Sequence, residues 1–457
     1  MDPHTDLDHS PQLSSVYISL HAEYLPNIRQ VSLQISVPAN TQPQISLSES
    51  RRAVSVSISL SESDGYISET VKLPARVCES AGRVLGARRD ANGDRAGVTD
   101  NEAGAGREIQ TRELSYRMQV DDSELTQTQR SVFEEHMDSF VPWSASDMDP
   151  LTKLRCRSCQ KILLDRPSEL PRPDVDLDNS TDPAMQSPGW VWKDLPSGNW
   201  AEMMDFWHCH KPDPEPSEGE QNKVEDENSM VKGYGASNQV LASAGTVLVD
   251  VATFLVSSGE CNGLKKVSKE TGDPPSSEEE LVCECGSLIG VEDSIAKGWR
   301  LFKTSLSAGF PSSEAGAEVK WTSHPAELIV AAQLLELIER ESARRFIIHC
   351  GGKDGLLIWV FNPDMRYSNA SSEHSIASQR AMKVFFQLTG NVEGLLHPEP
   401  GKASPLSLEE LRLPDDTYAF LFKALEASNN ILPGSARTFQ REWRVGILHR
   451  LERAKRM

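Results

Sequence analysis

Two close cysteine pairs constrain this chain more than any other feature. The first is in Leu154-Arg155-Cys156-Arg157-Ser158-Cys159-Gln160-Lys161-Ile162-Leu163, and the second in Leu281-Val282-Cys283-Glu284-Cys285-Gly286-Ser287-Leu288-Ile289. Each reads as an apolar residue, two nearby thiols, a short turn and another apolar residue, the pattern of a hairpin knuckle that offers two thiolates to one metal. Together the knuckles supply four sulfurs, which suits the closed tetrahedral shell of a structural Zn²⁺. Cys159 and Cys283 lie 124 positions apart. Such a site forms only when tertiary folding joins the two knuckles, so residues 143–303 cannot be divided freely. Packing cysteines and a thiol-redox pair are the other readings this spacing allows. The redox reading is disfavoured because Cys156 lies in a charged, hairpin-like context rather than at the start of a helix, where a thiolate is stabilised.

Eight cysteines in 457 residues are too few for a secreted disulfide scaffold. The opening MDPHTDLDHS is acidic, whereas a signal peptide needs a basic start and an apolar run. Forty-seven Lys and Arg against 67 Asp and Glu give a net charge of −20, a field that repels phosphate backbones and anionic lipid. These features predict a cytoplasmic or nuclear protein with reduced thiols, no membrane partner and no general nucleic-acid binding. No apolar run approaches the ~20 residues of a membrane span. The best two, residues 247–256 and 328–338, carry Asp250 and the pair Gln333 and Glu336.

The chain is long enough for two to four domains of ~100–200 residues. The shared metal reduces this expectation to two. Apolar and polar residues alternate with period two over 16–20, 31–37 and 54–60, and 67–73 and 114–120 also read as strands. Residues 13–125 are therefore predicted as a β-rich region with one antiparallel sheet, interrupted by a disordered insertion over 81–106. Residues 130–457 form the second region, with the zinc-linked segment 143–303 followed by an α/β layer over 320–457. Acidic loops are expected at 171–188, 211–230 and 262–280. Residues 245–256 read as a buried strand or helix. The clearest helix begins near Ser323 as N-cap, with Pro325 and Glu327 in its first turn, and runs to Arg345. Strands at 346–349 and 356–361 should flank a glycine turn, and helices should follow at 408–411 and 418–428. The fold class is α+β: an N-terminal antiparallel β-rich region, a zinc-stapled centre and a C-terminal layer of helices and strands.

Other candidate groups are fewer. Trp207-His208-Cys209-His210 closes an aromatic block that begins at Trp190. Neighbouring side chains diverge too far for all of these to reach one ion, so Cys209 and His210 are reserve ligands only, and a packing role for the block fits equally well. No nucleophile-elbow, Walker, zincin or dinucleotide motif occurs. Cys350, beside His349 and ahead of Gly351-Gly352, is the one thiol that invites a catalytic reading, although a nucleophilic cysteine needs a base close in space.

Several fragments occur in a telling order: WSA from Trp143, CRSCQKILL, LPSGNWAEMMDFWHCHKPD from Leu195, VCECGSLIG, GWRLFK from Gly298, LIWVFNPDMRYS from Leu357, AMKVFF from Ala381 and LPGSARTFQREWRVGILHR from Leu432. This order resembles the HECT-like ubiquitin-ligase family whose members bind a ubiquitin-conjugating enzyme. The resemblance implies a ubiquitin-protein ligase that recruits a loaded conjugating enzyme (E2). Ubiquitin, protein substrates such as cyclins and the chain itself would be its other partners. It also implies that Trp200, Trp207, Cys209 and His210 belong to a central motif, and that the E2 contact lies near Cys283 and Cys285. Relatives tied to messenger-RNA 3′-end formation imply the alternative of a non-catalytic adaptor. A HECT ligase passes ubiquitin through a thioester on a cysteine near its C-terminus, and no cysteine follows Cys350 here. Either Cys350, Cys261 or Cys209 takes the ubiquitin, or the chain acts as a scaffold for the loaded E2. The scaffold is the expected mechanism, because orientation alone lowers a transfer barrier substantially.

Overall fold

Where apolar residues alternate with polar ones, an extended backbone buries one set and wets the other. The computed structural model follows that pattern in the strand Gln30–Pro38, where Val31, Leu33, Ile35 and Val37 are buried and the residues between them are half-exposed. The structure describes residues 18–59, 65–86, 111–121, 140–166, 189–195, 240–268, 279–311, 318–398 and 408–453. It is a mixed, strand-rich fold with four α-helices among the described residues. The chain divides into two compact units, residues 1–134, 362–385 and 426–447, and residues 135–361, 386–425 and 448–457.

In the first unit, Gln30–Pro38 lies between Ser19–Leu25 and Thr111–Gln119, antiparallel to both. Ser19–Leu25 pairs on its other side with the far end of Gly355–Ala370, Leu20 opposite Ala370. The one antiparallel sheet expected for the N-terminal strands is thus two. Gln44–Leu47, Ala53–Ser59 and Tyr66–Lys72 form a separate three-stranded sheet, and Val54, Val56, Ile58 and Val71 share a core with Leu20, Leu33 and Ile35. Alternation reveals which face is buried, not which strand is the neighbour, and here a neighbour comes from more than 300 residues away. The helix Ser80–Gly86 corrects the expectation of disorder from residue 81. Ala81 and Leu85, one helical turn apart, are buried and anchor it. The remainder of that insertion lies outside the described residues.

The second unit holds both cysteine pairs. A seven-stranded sheet runs Leu264–Val267, Glu280–Cys283, Leu288–Asp293, Gly298–Phe302, Thr253–Val256, Thr246–Val249 and Val191–Asp194. A four-stranded sheet runs Lys320–Thr322, Leu306–Phe310, Lys153–Cys156 and Ile162–Leu164. Trp190, Phe254, Leu154, Leu281, Leu301 and Leu306 join one core. At Gly290 a Cβ would meet the Arg300 carbonyl oxygen at 2.1 Å, so only glycine allows the strands to approach this closely. The loop expected at 262–280 contains the strand Leu264–Val267, whose Lys265 and Lys266 pair with Val282 and Leu281. Adjacent lysines hid a strand that is polar because it lies at the sheet edge. The loops expected at 171–188 and 211–230 lie outside the described residues.

The expected helix forms over Ala326–Glu341, with Pro325 rather than Ser323 at its N-cap, and it ends short of Arg345 because Ser342, at φ 53°, turns left-handed and Arg345 opens the next strand. Ile329, Val330, Leu334 and Leu337 face inward. Arg345–His349 and the start of Gly355–Ala370 are antiparallel, as the glycine turn predicted. Leu408–Arg412 is a strand parallel to Arg345–His349, not a helix. Its Leu-x-x-Leu spacing mimics a helical face, but pairing with an open strand edge satisfies its backbone groups. Helix Asp415–Asn430 follows. No helix of the described residues is long and apolar enough to cross a membrane.

Candidate metal centre

Each knuckle reverses the chain tightly through a residue in the left-handed region just after its second cysteine. In the first this is Gln160, at φ 64°, and in the second Gly286, at φ 89°. The backbone repeats the same closure twice. Gln160 N–H donates to the Cys156 carbonyl at 3.0 Å, and Gly286 N–H to the Cys283 carbonyl at 2.8 Å. Cys156 N–H then donates to Lys161 and Cys283 N–H to Ser287, both at 2.9 Å. Two short hairpins with the same closure therefore present their thiols alike.

The four sulfurs converge. Cys156 Sγ is 3.8 Å from Cys285 Sγ, Cys159 Sγ is 3.6 Å from Cys283 Sγ, and all four atoms lie within 4.8 Å of one another. A tetrahedron with ~2.3 Å metal–sulfur bonds has edges of about 3.8 Å, whereas a disulfide would bring two sulfurs to ~2.05 Å. The donor set and spacing fit one Zn²⁺. Cys156 and Cys283 are buried among Leu154, Leu163, Leu281 and Ile289, while Cys159 and Cys285 are exposed. Burial pushes the Cys283 thiol up to about 12 and raises that of Cys156. The Ser287 hydroxyl and backbone bring Cys285 down to about 6. Lys161 Nζ and Glu284 Oε2, 2.5 Å apart, bridge the knuckles at the surface. Solvent screens that exposed ion pair, so it adds little to stability. The burial classes and the Lys161–Glu284 bridge could not be read from spacing alone. Of the reserve ligands, Cys209 and His210 lie outside the described residues, as do Trp200 and Trp207.

In the core that also holds Cys156 and Cys283, the WSA and GWRLFK fragments meet. Trp143, at φ 53°, stacks on Phe254, and the fully buried Lys303 donates from Nζ to the Pro142 carbonyl at 2.7 Å, 5.0 Å from the Phe254 ring centre. Ser144 and Asp147 form a capping box, and Arg453 donates to Asp147 at 2.7 Å. Burial pushes the Lys303 ammonium down to about 7 against the opposing pull of Asp250, Asp194 and Asp147. Between about pH 7 and the ordinary lysine value of ~10.4 the unfolded chain holds a proton that the folded chain has released, so stability rises with pH across that window. Chemical denaturation at pH 7 and pH 9 should show this rise in the wild type and a smaller one in Lys303→Met. The sequence showed a lysine closing an apolar run, which was the available signal for this buried cation.

Cys350 is not activated. His349 donates from Nε2 to Glu410 at 2.8 Å and accepts the Gly351 N–H on Nδ1 at 3.1 Å, so both ring nitrogens are engaged elsewhere. Burial, followed by the Asp415 carboxylate, pushes the Cys350 thiol up. Burial likewise takes Cys261 up to about 12.

A family model described as HECT-like ubiquitin-conjugating enzyme (E2)-binding matches residues 23–445. An uncharacterized protein of Saccharomyces cerevisiae is 23% identical over 255 residues, which cover 56% of this chain and 62% of the relative. The alignment thus spans less than two thirds of that relative's length. An uncharacterized protein of Schizosaccharomyces pombe is 24% identical over 322 residues, 67% of this chain and 77% of the relative. No solved structure matches.

Proposed function

Because the chain belongs to the HECT-like ubiquitin-conjugating enzyme (E2)-binding family, we propose that it is a ubiquitin-protein ligase that binds a ubiquitin-loaded E2 and promotes transfer to substrates and to itself. The family match over residues 23–445 is the observation that carries this reading. The chain acts as a zinc-stapled scaffold in the cytoplasm or nucleus, without a thioester on Cys350 or Cys261. Support for this mechanism comes from the thiols. The Cys350 and Cys261 thiols are raised rather than lowered, and a cysteine nucleophile needs the opposite. The converged cysteines support the zinc staple, with Cys156, Cys159, Cys283 and Cys285 holding the metal. Zinc there supplies folding energy and leaves no open coordination position for chemistry. Binding near Cys283 and Cys285 would then position the E2 and its load, and orientation alone is worth several kcal/mol of barrier.

The test is reconstitution. Purified chain with activating enzyme, ATP, ubiquitin and a panel of conjugating enzymes should form polyubiquitin on itself. Absence of both product and E2 capture across the panel overturns the reading.

A further inference from the structure

In the first unit a chain of hydrogen bonds runs from a lysine to a serine at a hairpin tip. Lys383 Nζ donates to both oxygens of Glu23, at 2.8 and 2.9 Å, and Glu23 Oε1 lies 2.9 Å from His21 Nε2. His21 Nδ1 is 3.2 Å from Asn369 Nδ2, which also donates to the Ile431 carbonyl at 3.0 Å. The other end of that amide, Asn369 Oδ1, meets His374 Nε2, and His374 Nδ1 lies 3.0 Å from Ser371 Oγ.

This network fixes each proton. A carbonyl only accepts, so the Ile431 oxygen assigns the NH₂ end of Asn369 and leaves Oδ1 facing His374. Oδ1 also only accepts, so His374 carries its proton on Nε2. In the neutral ring Nδ1 is then a lone pair, to which Ser371 Oγ–H donates. Asn369 and His21 are buried, while Ser371 and His374 are half-buried at the turn between Gly355–Ala370 and Ser375–Thr389. The Glu373 N–H donates to Ser371 Oγ at 3.3 Å, which further holds the hydroxyl in place. A hydroxyl bonded to an imidazole whose other nitrogen is held by a fixed acceptor is the arrangement of an activated nucleophile.

We propose that Ser371 is an acyl-acceptor hydroxyl with His374 as its general base and Asn369 as the positioning residue, and that it takes ubiquitin from the loaded E2 as an oxyester. The E2 as partner rests on the ligase reading above, and the Ser371 oxyester replaces direct transfer from the E2 to substrate in that reading. Ser371 Oγ attacks the thioester carbonyl of ubiquitin's C-terminus while its proton passes to His374 Nδ1. The carbon–sulfur bond breaks, and the departing E2 thiolate takes that proton. The products are a Ser371 oxyester and a free thiol, with no oxidation or reduction. A lysine amine can then displace Ser371 Oγ from the oxyester, which forms the amide and restores the hydroxyl. This gives the chain a covalent acceptor where the C-terminal third has no activated cysteine.

Two readouts test it. A fluorophosphonate probe, which needs no ubiquitin partner, should label Ser371 in the full chain. Labelling should vanish in Ser371→Ala and fall roughly 100-fold in His374→Gln. With loaded E2, a ubiquitin adduct should resist thiol reductant, yield to hydroxylamine and be absent in Ser371→Ala, while E2 capture and thermal midpoint stay at wild-type values. Absence of Ser371 labelling overturns the proposal whether or not the chain is a ligase. Wild-type adduct formation by Ser371→Ala overturns it while leaving the ligase reading intact.

Discussion

Cys156→Ser should remove zinc from the chain and lower its thermal midpoint by about 10 °C or more. Cys156 lies at the end of Lys153–Cys156, in the four-stranded sheet, and its sulfur faces Cys285 from the seven-stranded one. The metal would therefore fasten two sheets that share one core. A structural zinc site contributes folding energy directly, and losing even about 4 kcal/mol shifts a domain of 150–250 residues by ~8–16 °C. Elemental analysis should give near one zinc per wild-type chain, much less for Cys156→Ser and an unchanged value for Cys78→Ser. Cys78 is the natural control, since its sulfur instead donates to the Gln119 carbonyl at 3.1 Å. A chelator should reproduce the destabilisation in the wild type and have no further effect on Cys156→Ser.

The second large effect is expected at Lys383. Burial by itself would raise the Glu23 carboxyl, but Lys383 and then His21 outweigh it and hold the group well below the usual carboxylate range. Lys383→Met leaves a buried carboxylate with only His21 beside it. Removing one partner of such a pair typically costs ~3–5 kcal/mol. The double variant Glu23→Gln, Lys383→Met should recover part of that loss, because no buried charge is then left alone. The pH dependence has a definite sign. A carboxyl whose folded value is depressed stabilises the fold fully above its unfolded value of ~4.3, and this stabilisation is lost as pH falls below it. Acid unfolding should therefore start at higher pH in the wild type than in Glu23→Gln when each is compared with its own neutral-pH stability. Equal acid sensitivity of the two would contradict the assignment.

These sites differ in how far the sequence foretells them. Four thiols in two knuckles announce themselves through residue type and spacing, and Cys156, Cys159, Cys283 and Cys285 do converge. The helix Ala326–Glu341 and the hairpin after it were equally legible, because helical periodicity and a glycine turn are local signals. The Lys383 network was not. His21 and Glu23 interrupt the apolar pattern of Ser19–Leu25 and look like surface residues, yet both are buried because Asn369 and Lys383, 348 and 360 residues away, satisfy them. Hydrophobic periodicity has no term for a polar group whose partner is distant. Leu408–Arg412 fails for a related reason: its state is decided by the unpaired edge of Arg345–His349. The split of the N-terminal strands into two sheets is likewise a matter of partner choice, which local alternation leaves open.

The central claim is that a zinc-stapled chain promotes ubiquitin transfer from a bound E2 with no thioester on Cys350. Single-turnover discharge of a ubiquitin-loaded E2 by the wild type and by Cys350→Ala tests it most directly. Equal discharge rates, with no adduct that thiol reductant removes, are the predicted result. A reducible ubiquitin adduct on the wild type that disappears in Cys350→Ala together with discharge would contradict it.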